Sequence, residues 1–112
     1  MLNWTEYLSE VKSRIGAIAK MNPDIVRGYR AISDAKTPDS KLDPKTKELI
    51  ALAVAVTNRC DGCIVVHVEA AKKHGATQEE IMEALGVAVA VNAGTALIFS
   101  ARTLDAYANL GK

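Results

Sequence analysis

Residues 42–67 read LDPKTKELIALAVAVTNRCDGCIVVH. Asp43 followed by Pro44 is a cap residue ahead of a helix-starting proline, and it opens a helix that the pattern carries to about Asn58. A second helix is expected to begin at Cys60 or Asp61 and to run to His74, with Gly75 just past its C-terminus. The stretch therefore reads as helix, short turn, helix, with both cysteines of the chain in the first turn of the second helix.

The same punctuation repeats outward from this hairpin. Trp4, Leu8, Val11, Ile15 and Ile18 recur at three and four residues, which predicts an amphipathic helix over residues 4–20. Asn22-Pro23 opens another through about Ala35, and Thr37 to Leu42 is the loop richest in turn formers. Thr77 and Glu80 form a capping box ahead of a fifth helix expected to end near Val91. Asn92-Ala-Gly94 reads as a break before a sixth helix from Thr95 to Asn109. The β-branched residues of 53–56 and 87–91 would suit strands, but the flanking caps, the alanines and the segment lengths favour helix. The expected fold is all-α, with about six helices.

With 112 residues, the chain has room for a single domain over 1–112. Fourteen basic and thirteen acidic side chains are interspersed, so no basic stripe tracks a phosphate backbone and no nucleic-acid partner is expected. Charged residues Glu6, Glu10, Lys12 and Arg14 break any secretory apolar region. The longest apolar run, Ala84 to Phe99, falls short of the roughly 20 residues that span a bilayer. The cytoplasm is therefore the expected compartment, and no membrane partner is expected. Because that compartment keeps thiols reduced, a static bridge is disfavoured there and two cysteines are read as catalytic or metal-binding. Leu49 to Val56 and Ala84 to Phe99 are apolar almost all round, more than one small domain can enclose, so a homo-oligomer is expected.

The chemistry is expected at Cys60, Cys63 and His67. Two cysteines three apart at a helix start can close a small disulfide ring. The unpaired N–H groups and positive dipole end of that first turn stabilise a thiolate. A free thiol has a pKa near about 8.5, and lowering it by about two units takes roughly 2.7 kcal/mol of preferential stabilisation. His67 lies four residues after Cys63, on the same helical face, and is placed to exchange a proton with it. Glu48, on the preceding helix, is a candidate partner that would orient the imidazole. On residue types alone the reading is a thiol oxidoreductase. The alternative is a non-catalytic oligomeric scaffold using the pair as a redox switch or zinc site, with Cys60, Cys63 and His67 as ligands and Glu48 as a fourth. The preferred reading needs neither a resident metal nor a cofactor.

The segment from Leu42 to His67, with its Glu48, twelve-residue step, Cys-x-x-Cys and x-x-x-His pattern, resembles the alkylhydroperoxidase AhpD core of the carboxymuconolactone decarboxylase superfamily. The likeness continues through residues 75–85 to Tyr107. It implies an AhpD-like helical fold assembled as a homotrimer or homohexamer, and a peroxiredoxin-type peroxidase or disulfide oxidoreductase acting on alkyl hydroperoxides. It further implies that Cys63 attacks the peroxide, that Cys60 resolves the product, and that Glu48 and His67 relay protons. An external dithiol, lipoyl or thioredoxin-like, would restore the thiols. Better-known AhpD proteins carry a second histidine beside the cysteines, where this chain has Asp61 and Gly62. Decarboxylase members of the superfamily lack the cysteine pair, so lactone decarboxylation is not expected here.

Overall fold

A computed structural model describes all 112 residues. Six helices follow in order: α1 (Trp4–Met21), α2 (Pro23–Ser33), α3 (Pro44–Thr57), α4 (Asp61–Lys73), α5 (Gln78–Phe99) and α6 (Ala101–Asn109). The caps explain most of the boundaries. Asp43 accepts a hydrogen bond from the Thr46 amide at 2.7 Å and starts α3. That backbone bond holds the Asp43 carboxyl below its usual range. Thr77 and Glu80 bond each other's backbone amides at 3.1 and 3.0 Å, the reciprocal capping box that starts α5. Glu80 also meets Lys45 at 2.7 Å, tying the first turn of α5 to that of α3. The shared bond raises the Lys45 ammonium and lowers the Glu80 carboxyl, the latter aided by the Thr77 amide.

One boundary departs from the sequence reading. Residues 92–94 do not break the chain, and α5 runs on to Phe99. Asn92 is held in the helix by its own side chain, which donates to the Ala88 carbonyl at 2.8 Å and to Thr57 Oγ1 of α3 at 2.9 Å. Thr57 in turn donates to the Ala53 carbonyl at 2.9 Å. A polar residue that would otherwise favour a cap is thus kept helical and used as a rivet between α3 and α5. Gly94 passes through without a close neighbour. The interruption falls instead at Ser100, whose φ of −61° and ψ of −25° remain helical and whose hydroxyl bonds the Ala96 carbonyl. α5 and α6 therefore make one rod over Gln78–Asn109, 32 residues that are long and apolar enough to cross a membrane. The apolar run read from sequence as too short for that purpose is part of this longer rod. The core helix of a soluble protein has the same length and composition.

The helices pack as an open series. α2 touches α1, α1 touches α4, α4 touches α3, α3 touches α5, and α6 touches only α5. α3 is the centre, with α4 on one flank and α5 on the other. The buried residues are Leu52 and Ala55 of α3, Val65 and Ala71 of α4, and Ala88 of α5. Small residues dominate this list, which lets the three helices approach closely around Leu52. At 2 % exposure Leu52 is the largest enclosed side chain. Leu52→Ala is expected to cost about 2–5 kcal/mol, read as a lowered denaturant midpoint with an unchanged slope.

Because the series is open, the chain is extended. Its radius of gyration is 18.6 Å, against about 13 Å for a compact chain of this length. It exposes 9176 Å², where a compact monomer of its mass exposes roughly 6,000 Å². Much of the surplus is apolar and lies on the long rod, with Val89, Leu97 and Ile98 each more than two-thirds exposed.

Candidate functional site

Local geometry at the α3–α4 turn presents the cysteines. α3 ends in a Schellman motif: the Cys60 amide bonds the Ala55 carbonyl at 3.1 Å and the Arg59 amide bonds that of Val56 at 3.2 Å. The residue that reverses the chain there, Arg59, has φ of +53°, a left-handed conformation that favours glycine. The same motif closes α4, where the reversing residue is Gly75 at φ +81°. Cys60 then adopts extended backbone as the N-cap of α4, and its Sγ accepts from the Cys63 amide at 3.1 Å. Cys63 is the third residue of α4, inside the turn whose amides point outward. The two cysteines are joined as a disulfide with Cα atoms 5.2 Å apart.

Across the packed face, Glu48 of α3 meets His67 of α4, with Oε2 at 2.6 Å from Nδ1. Glu48 is 21 % and His67 33 % exposed, so the pair is partly shielded while still reachable from solvent. An ionised carboxylate can only accept, so Nδ1 carries the proton and donates. The Nε2 atom of a neutral His67 is then left with its lone pair, the tautomer a general base needs. His67 and Cys63 share a face of α4 through their four-residue spacing. All four residues singled out in the sequence, Glu48, Cys60, Cys63 and His67, thus lie at the junction of α3 and α4. No group of three or more His, Cys, Asp or Glu side chains is disposed to hold a metal ion.

One neighbour of the site was not among those four. α1 lies against α4, and Tyr7 and Val11 approach Gly62, the residue before Cys63. The period of α1 shows that it has an apolar face, but no local rule says which helix that face covers.

The model of the carboxymuconolactone decarboxylase family matches residues 23–106. The chain belongs to this family. It contains the AhpD-like core, and the family includes both decarboxylases and AhpD-type peroxidases. An uncharacterised protein of Haemophilus influenzae is 46 % identical over 105 residues, 94 % of this chain and 93 % of the relative. Uncharacterised protein 4 in the cox locus of Paracoccus denitrificans is 36 % identical over 97 residues, 87 % of each chain. The crystal structure of apo-lpg0406, a carboxymuconolactone decarboxylase family protein from Legionella pneumophila, superposes with a TM-score of 0.74 at 36 % identity and covers 97 % of both chains. The matched family region takes in α3, α4 and the whole Glu48–His67–cysteine site, and it begins only after α1.

Proposed function

We propose that this family member is a cytoplasmic, thiol-dependent peroxidase that reduces alkyl hydroperoxides through a Cys60–Cys63 dithiol/disulfide cycle. The observation that carries the reading is the 2.6 Å contact between Glu48 and Nδ1 of His67, one helical turn from Cys63. A carboxylate holding an imidazole in one tautomer, next to a cysteine at a helix N-terminus, is a nucleophile–base–orienter arrangement.

In this mechanism His67 Nε2 takes the Cys63 proton and the α4 N-terminus steadies the thiolate. The thiolate attacks the terminal peroxide oxygen. An S–O bond forms, the O–O bond breaks, and its electron pair leaves on the alkoxide, which takes the proton back from His67. Cys63 is now a sulfenic acid. Cys60 attacks its sulfur, water departs, and the disulfide results. An external dithiol, lipoyl or thioredoxin-like, returns both cysteines to thiols by exchange.

The exposed apolar rod favours self-assembly, and the resemblance to AhpD-like proteins makes a homotrimer or homohexamer the expected form. The surplus surface, about 3,000 Å² per chain on the compact-monomer scaling, exceeds the roughly 800 Å² per partner of a standard stable interface.

The reading is tested by following tert-butyl hydroperoxide consumption with dihydrolipoamide as donor. Turnover that requires both cysteines supports it; a wild-type protein that consumes no peroxide overturns it. Glu48→Gln is expected to lower the rate of thiol oxidation by peroxide about ten- to a hundredfold while the fold is retained, because the imidazole loses its orienting charge. Stopped-flow oxidation of the reduced protein reads this directly.

A further inference from the structure

The helix that precedes the matched family region contributes a side chain to the dithiol turn. α1 is held on α4 by Lys12, whose Nζ lies 3.1 Å from Glu69. Two turns nearer the N-terminus of α4, a methyl group placed on Gly62 would stand 4.0 Å from the Tyr7 hydroxyl and 3.9 Å from Val11 Cγ2. Gly62 lies between the two cysteines, about 100° round α4 from Cys63. Trp4 packs edge-on against Tyr7 at 6.0 Å between ring centres and fixes the phenol ring. Trp4, Tyr7 and Val11 are each half-buried and make an apolar wall at this end of α1. The Tyr7 hydroxyl bonds no other group of the chain and is not sealed from solvent. A donor held beside Gly62, the residue between the two cysteines and Cys63's neighbour in the chain, free of protein partners and backed by apolar side chains, suits a ligand with one polar oxygen and a hydrocarbon tail.

We propose that Tyr7 binds the leaving oxygen of an organic hydroperoxide at the dithiol, with Trp4 and Val11 against its alkyl group. This rests on the peroxidase reading above. As Cys63 forms its S–O bond and the O–O bond breaks, the electron pair collects on the alkyl-bearing oxygen. Tyr7 donates a hydrogen bond to that oxygen and keeps its own proton, while His67 supplies the proton that completes the alcohol. A neutral donor aimed where charge develops strengthens as the bond breaks, and so acts on the rate of oxidation.

The test compares two reactions of the reduced full-length protein. Tyr7→Phe keeps the ring and removes the donor. It is expected to slow oxidation by tert-butyl hydroperoxide about ten- to a hundredfold, the range for one hydrogen bond to a charged oxygen. Alkylation of the same thiol by iodoacetamide, whose leaving iodide needs no donor, is expected to keep its rate and its pH midpoint. Gly62→Ala places a methyl group in ordinary contact with the hydroxyl and is expected to slow oxidation by cumene hydroperoxide more than by hydrogen peroxide. It serves as the second variant should Tyr7→Phe not fold. Unchanged oxidation of Tyr7→Phe with an active wild type overturns this inference alone. Equal slowing of oxidation and alkylation also overturns it, since that marks a role in the thiolate or the fold. A wild type inert to peroxide overturns the peroxidase reading and this inference with it.

Discussion

Cys63→Ser is expected to abolish peroxide consumption, with a loss of at least about a thousandfold, while Cys60→Ser still reacts once. The asymmetry follows from position. Cys63 lies inside the first turn of α4 and shares a face with His67, whereas Cys60 is the N-cap, seven residues and two turns before the imidazole. A serine at 63 leaves Glu48 and His67 paired but removes the only nucleophile they serve, and removing a nucleophile from a working unit costs nearly the whole of its rate. A serine at 60 leaves that nucleophile intact. Reduced Cys60→Ser is expected to consume one equivalent of hydroperoxide and stop as a sulfenic acid, which a dimedone adduct on Cys63 detects by mass. If Cys63→Ser turns over at the wild-type rate, the dithiol mechanism fails; if instead reduced Cys63→Ser consumes one equivalent and stops with the dimedone adduct on Cys60, the roles are reversed.

A charge placed on the long rod is expected to break the assembly. Leu97 is 76 % exposed on α5, and neighbouring Ile98 and Phe99 are exposed as well. In an oligomer that covers this rod, Leu97→Asp buries a carboxylate without a partner, a change of the kind that costs about 3–5 kcal/mol. Each copy carries the substitution, so the penalty repeats at every symmetric contact. The wild-type protein is expected to sediment at three or six times 12.0 kDa, and Leu97→Asp at a lower multiple or as aggregate. A wild type that sediments as a 12.0 kDa species at micromolar concentration would remove the case for assembly.

The two effects are linked through α3. Its one flank meets α4 and holds Glu48 on His67; its other flank meets α5 and is riveted by Thr57 and Asn92. Loss of the rod's cover acts on the same helix that positions the carboxylate. Leu97→Asp is therefore expected to slow peroxide chemistry even though Leu97 lies far along the chain from the cysteines.

How far the sequence carried the reading depended on the range of the rule used. Asp43-Pro44 and the Thr77–Glu80 box marked helix starts that the structure reproduces, because a cap is decided by a side chain and an amide three residues away. Asn22-Pro23 marked another through the proline at the first helical position, with no capping bond from Asn22. The same range set Cys60 at the threshold of α4 and His67 one turn beyond Cys63. Asn92 misled because its preference for caps is also local, whereas its actual partner, Thr57, comes from 35 residues away. Arg59 shows the reverse case: a residue with no turn signature adopts the left-handed geometry that the α3–α4 reversal demands.

The sequence by itself determined the all-helical class and the placement of a cysteine pair and a histidine on one helical face, because these follow from spacing along the chain, and its resemblance to a known family pointed to the family that the comparison confirms. Only the tertiary structure decided that Glu48 reaches His67, that α5 is unbroken, and that α1 brings Tyr7 to Gly62. Those contacts depend on how helices are rotated against one another, which is set by the side chains packed between them and by no spacing within either helix.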